Sequence, residues 1–146
     1  MIGTEATGQF EIISKIGQGG YGIVYKACEI STKDIVAIKQ VKKASSNREG
    51  FPIAALREII LLKDLKGSPN IIDLRNVLTY ELDRNVYIIY NYSEYDMNTL
   101  IYQKTPMNFR QVKSYFKQMI TGLLSLHSNK FSFFTLDNRY LRGQKV

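Results

Sequence analysis

The chain has 146 residues, 45% apolar and 23% charged, which suits about one globular domain able to bury a core. Twenty Lys and Arg against 13 Asp and Glu give a net charge of +7. That favours phosphate-rich or acidic partners in general, but the basic residues are scattered, so a solvated surface is the better reading than a nucleic-acid face. A single cysteine, Cys28, excludes an internal disulfide, and one histidine leaves zinc chemistry almost no ligands. With no leader pattern in MIGTEATGQF and no apolar run near the roughly 18 residues of a membrane span, a soluble protein of nucleus or cytoplasm is expected.

Phe10 to Ile16, FEIISKI, sets Phe10, Ile12, Ser14 and Ile16 on one face and Glu11, Ile13 and Lys15 on the other, the alternation of a strand. It runs into IGQGGYGIVYKA, in which Gly17, Gly19 and Gly22 have the spacing G-x-G-x-x-G. Glycines so spaced let backbone amides come close to phosphate oxygens, because no Cβ holds the ligand away. A dinucleotide loop of this spacing opens a helix, whereas a kinase-type loop joins two antiparallel strands. Gly22 to Ile30 is β-branched and aromatic, so a second strand is expected and the hairpin is favoured. After a turn at Ser31 to Asp34, Ile35 to Val41 reads as a third strand, with Val36 and Ile38 facing one way and Ala37 and Lys39 the other. The small alanine leaves room for a flat ring and the lysine supplies a cation for phosphates; for this segment alone, an edge strand with a solvated lysine fits equally well.

A polar loop, Lys42 to Gly50, precedes FPIAALREIILLKDLKG, a predicted helix with Pro52 in its first turn and Gly67 as its terminator. Ile53, Leu56, Ile59, Ile60, Leu62 and Leu65 are expected to form one broad apolar face against a sheet, interrupted by Arg57 and Glu58. Glu58 is a candidate partner for Lys39 across that packing, or else a surface carboxylate paired with Lys63, Arg57 or water. Ile71 to Tyr80 and Val86 to Tyr92 read as fourth and fifth strands around the turn ELDRN. Asn108 to Ser128 reads as a helix, capped by Asn108 with Gln111. Its apolar surface is Val112, Tyr115, Phe116, Met119, Ile120, Leu123, Leu124 and Leu126.

Glycine hairpin, V-A-I-K strand, helix with an internal glutamate and two further strands, in that order, resemble the small lobe of a eukaryotic protein kinase from about Phe10 to Lys130. REGFPIAALRE resembles the matching helix of the cyclin-dependent kinases, above all the transcription-linked subgroup with an FPITALRE-like helix. SPNII, VYIIYNY and KSYFKQMITGLLSLHSNK fit the same family.

The resemblance implies an α+β fold. A tail at residues 1–9 would precede a small lobe at 10–92, with a five-stranded antiparallel sheet and one main helix. The hinge and the start of a large lobe, with two helices, would occupy 93–130, and a divergent tail 131–146. It further implies ATP and phosphoryl transfer to protein serine or threonine. Ile16, Val24 and Ala37 would roof the adenine, and the loop Gly17, Gly19, Gly20, Tyr21 and Gly22 would cover the phosphates. Lys39 would bind the α and β phosphates, held by Glu58. Tyr90 matches the gatekeeper, Asn91, Tyr92 and Ser93 the hinge, Asp96 the ribose contact, and Leu62 and Leu74 the internal hydrophobic spine, which is equally plain core. Asn91 stands where the family usually has an acidic residue. Phe51 to Leu65 would face a cyclin. Tyr21 matches an inhibitory phosphorylation site of related kinases, although Gly20 replaces the neighbouring threonine.

After Lys130 the resemblance stops. Kinases continue with a segment like ILHRDLKPSN, then DFG, the activation segment and APE; here FSFFTLDNRYLRGQKV follows. His127 lies in LHS, so no HRD exists in these residues. Thr135 falls at the catalytic aspartate, and Asp137 and Asn138 lack their flanking motif. No DFG occurs, so magnesium, expected for the family, has no evident ligand and no metal site is assigned. The expectation is a kinase-type chain inactive by itself, or a noncatalytic module binding nucleotide or a cyclin-like partner. The apolar helix would then be covered by a partner, or by the tail through Phe131, Phe133, Phe134 and Leu141, or left bare in a truncated product. A shifted frame or unspliced intron is the expected origin of the ending.

Overall fold

In the computed structural model the residues described are 8–19, 22–42, 53–80, 85–94, 102 and 106–129. Five strands, β1 (Phe10–Gly19), β2 (Gly22–Glu29), β3 (Ile35–Lys42), β4 (Leu74–Thr79) and β5 (Asn85–Asn91), form an antiparallel sheet in the order β1-β2-β3-β5-β4. Helix α1 (Ile53–Asp64) lies between β3 and β4 in the chain, and α2 (Phe109–Ser128) follows the sheet. The described residues fall into two units. One holds 8–63 and 74–92, the other 64–73 and 93–129. Gly20, Tyr21, Phe51, Pro52, Asp96, the turn at 81–84, the first helix expected after the hinge and the tail 131–146 lie outside the described residues.

Register assigns the side chains of the first unit to two faces. Paired residues on neighbouring strands share a face, and successive residues alternate. Val36, Ile38, Tyr87 and Ile89 therefore point one way, where with Phe10 and Ala27 they make a buried core. Ile12, Leu78 and Tyr80 pack against it, and the Tyr80 ring meets Tyr87 edge-on at 5.6 Å between centroids. Full burial of a side chain such as Ile38 or Ile89 contributes about 1.5–3 kcal/mol. Ala37, Lys39, Val41, Val86, Ile88 and Tyr90 occupy the opposite face.

Strict alternation fails in β1. Its pairing with β2 shifts between Ile12 and Ser14 and again between Lys15 and Gly17, and the strand continues to Gly19 rather than ending at Ile16. Each bulge re-aims the residues that follow it, so Ile12, Ser14 and Ile16 do not stay on one face, and Ile13 and Ile16 are both exposed.

The single broad apolar face expected on α1 is in fact two. Ala55, Ile59 and Leu62, spaced by four and three, are buried together with Leu61, and Glu58 falls at the same helical spacing among them. Ile53, Leu56 and Ile60 repeat the spacing on the other side and are exposed. A helix resting on a sheet covers one side only, so apolar residues around most of its circumference cannot all be buried. Gly67 takes φ 77°, a conformation glycine adopts without strain, in the turn after the helix.

In the second unit α2 starts at the expected place. The Asn108 side chain accepts from the Gln111 amide at 2.9 Å, and the Gln111 side chain accepts from the Asn108 amide at 3.0 Å. Gly122 and Leu126 are buried, whereas Phe109, Val112, Phe116, Met119, Ile120 and Leu124 are exposed.

Candidate functional site

The face of the sheet opposite the aromatic core carries the chemistry. Gly17 pairs with Val24 and Val24 with Lys39, a row across β1, β2 and β3. Lys26 pairs with Ala37 and Ala37 with Tyr90, a second row one step along. Val24, Ala37, Lys39 and Tyr90 thus share one surface by the two-residue period of strands. Ile16, beside the second bulge, is exposed at its edge.

Lys39 is only 8% exposed, so its ammonium needs an anion close by. The Nζ of Lys39 lies 2.6 Å from Oε2 of Glu58, and both side chains are 10% exposed. A pair so shielded interacts far more strongly than a surface pair of the same length. Glu58 is therefore not the solvated carboxylate that its sequence neighbours Arg57 and Lys63 would have suited. Its other oxygen, Oε1, accepts from the Tyr90 hydroxyl. One carboxylate on α1 is held by two neighbouring strands.

Beyond Tyr90, Asn91 and Tyr92 are half-buried, and the Lys26 ammonium sits 4.5 Å from the Tyr92 ring centroid, a cation–π contact between β2 and the segment that leaves β5. Ser93 is exposed and belongs to the second unit. Leu62 and Leu74 are buried. The two links that periodicity could not reveal are Tyr90 to Glu58 and Lys26 to Tyr92. Each joins residues whose nearness depends on strand order.

Geometry at the glycines differs from one to the next. Gly19 has open space where a Cβ would stand, so packing does not require glycine there. Gly22, at φ 140°, lies against the backbone of Gln40 and has no room for one.

This surface offers a shielded cation, Lys39, two positions along the strand from the small Ala37, with open space at Gly19 near the end of β1. Compared with known families, residues 10–136 match the one described as Protein kinase domain. The chain belongs to the protein kinase domain family. The match extends to residue 136, six residues past Lys130, where the resemblance is expected to end. Cyclin-dependent kinase 10 of Mus musculus is 38% identical over 122 residues, covering 83% of this chain and 33% of that protein. Cyclin-dependent kinase C-1 of Arabidopsis thaliana is 36% identical over 144 residues, covering 88% and 28%. Cyclin-dependent kinase G1 of the same plant is 35% identical over 134 residues, covering 88% and 22%. The chain spans a third or less of the length of these relatives. In kinase terms the five-stranded sheet with α1 is the small lobe, and α2 belongs to the start of the large lobe.

Proposed function

We propose that this chain is the ATP-binding part of a serine/threonine kinase of the cyclin-dependent type, and that by itself it binds nucleotide without transferring phosphate. The observation that carries the reading is the shielded Lys39–Glu58 pair on the same face as Val24 and Ala37. A buried lysine held by a carboxylate is seldom a net source of stability, and its ammonium is a point charge suited to phosphate oxygens. Lys39 would hold the α and β phosphates, with Glu58 setting its position. Ile16, Val24 and Ala37 would roof the adenine, with Tyr90 closing the rear. The backbone of Asn91 to Ser93 would read the base edge and Asp96 the ribose. The open space at Gly19 suits close approach of phosphates to backbone amides from Gly17 through Gly20, Tyr21 and Gly22.

Magnesium, when bound, neutralises charge on the β and γ phosphates. Among the described residues no cluster of three acidic, histidine or cysteine side chains fits a metal. Transfer needs a base aspartate and metal ligands that kinases carry in HRD and DFG, and these 146 residues contain neither tripeptide.

A cyclin-like subunit is the proposed partner, on the side of α1 that shows Ile53, Leu56 and Ile60 to solvent. The helix sequence FPIAALRE supports the transcription-linked subgroup, and a nuclear or cytoplasmic site of action goes with it. The missing tripeptides favour a second reading, a noncatalytic module that binds nucleotide or the cyclin-like partner. Calorimetric titration with Mg-ATP tests the first. Wild-type chain is expected to bind and Lys39→Met to bind about tenfold or more weakly, the order of a lost charge-assisted contact; equal binding by the two would count against it. Peptide phosphorylation by the chain with a cyclin, abolished in Lys39→Met, would overturn the claim that it does not transfer phosphate.

A further inference from the structure

We infer that the Tyr90 hydroxyl is a positioning group for Lys39, acting through Glu58. It holds the carboxylate, and α1 with it, against the sheet independently of the lysine. A glutamate with a single anchored oxygen can pivot about its side-chain bonds, and the helix that carries it can lift. Here Oε2 takes the Lys39 ammonium and Oε1 takes the Tyr90 hydroxyl, so both oxygens are fixed. The two donors stand on different strands, Lys39 on β3 and Tyr90 on β5, which are hydrogen-bonded neighbours.

The phenol is itself well placed to hold. Tyr90 is 6% exposed, and β5 lies between β3 and β4, so its backbone is paired on both sides, with Ala37 and with Leu74. A group aimed from an interior strand loses little positional precision. When the lysine turns toward a phosphate, its hold on Glu58 weakens, and the tyrosine keeps the carboxylate in place. Lys39 is then presented at one fixed distance from its target rather than over a range. The part of this inference that concerns phosphate rests on the nucleotide reading above; the hold on α1 does not.

Tyr90→Phe removes one oxygen and keeps the ring, so it isolates the hydroxyl. In the nucleotide-free 146-residue chain, hydrogen exchange of the α1 amides from Ile59 to Leu62 is expected to quicken about tenfold in Tyr90→Phe, as befits loss of a hydrogen bond to a charged group. By calorimetry with ATP, Tyr90→Phe is expected to bind about three- to tenfold more weakly than wild type, with no further loss when added to Glu58→Ala. Unchanged α1 exchange in Tyr90→Phe overturns the inference. So does wild-type affinity in Tyr90→Phe, or an equal loss in the Glu58→Ala background, which would show an effect not routed through Glu58. A wild-type chain that binds no ATP overturns the nucleotide reading instead, and the exchange measurement then decides the hold of Tyr90 on α1.

Discussion

Gly22 faces the backbone of Gln40 so closely that a Cβ built on it would overlap the Gln40 carbonyl oxygen and lie 3.0 Å from the carbonyl carbon. The third glycine of the hairpin is thus demanded by the β2–β3 pairing, whatever ligand lies beneath. Gly22→Ala combines a strained φ with a backbone clash and is expected to cost about 2 kcal/mol or more in urea unfolding. Gly19→Ala, with nothing within 4 Å of the added carbon, should stay within about 1 kcal/mol of wild type. Equal losses at the two positions would contradict this.

Glu58→Ala takes the carboxylate from both Lys39 and Tyr90, and the buried ammonium makes that loss large. A destabilisation of about 3 kcal/mol is expected, at the lower end for a buried pair because each side chain keeps 10% exposure. Lys39→Met should cost less, since Glu58 retains the Tyr90 hydroxyl. The double variant Lys39→Met/Glu58→Leu should recover part of the Glu58→Ala loss, because no charge is left buried. Chemical denaturation of the four proteins checks the order.

Arg75, in β4, ties two carboxylates near the turn from β2 to β3. It reaches Asp34 at 2.8 Å and Glu29 at 3.3 Å, and Thr32 donates to the same Glu29 oxygen at 2.8 Å. The Arg75 side chain is 29% exposed, so screening matters. Arg75→Met should lower stability by about 0.5–1 kcal/mol at low salt, and by much less in 1 M NaCl. A loss that does not change with salt would assign the effect to packing of the arginine stem instead.

Asn108→Ala deletes one side of the capping box on α2 and is expected to cost about 1 kcal/mol, read as helicity and thermal midpoint. Asn108→Asp keeps the acceptor and adds a negative charge near the helix N-terminus, so it should match or exceed wild type.

Much of the fold was legible because its signals are local. The alternation of β3, the start of α2 at a capping box and the terminating Gly67 each depend on residues a few positions apart, where sterics and side-chain hydrogen bonds act without the rest of the chain. Of the site, Lys39 and Glu58 stood out by order and type, and the strand register placed Val24, Ala37 and Tyr90 on the same face as the lysine. The β1 bulges and the two-sided burial of α1 were not legible, since each depends on what the partner strand or the sheet leaves uncovered.

By itself the sequence determined element type, strand order in the chain, the glycine hairpin and the membership of a kinase lineage, all properties of composition and short-range pattern. Only the tertiary structure decided that Glu58 is buried, that its second oxygen meets a tyrosine 32 residues away, and that residues 64–73 go with α2 rather than with the strand they lead into. The reason is physical. Contacts between residues far apart in the chain follow from strand order and packing, and in an antiparallel sheet a shift of one residue in register moves every side chain to the other face.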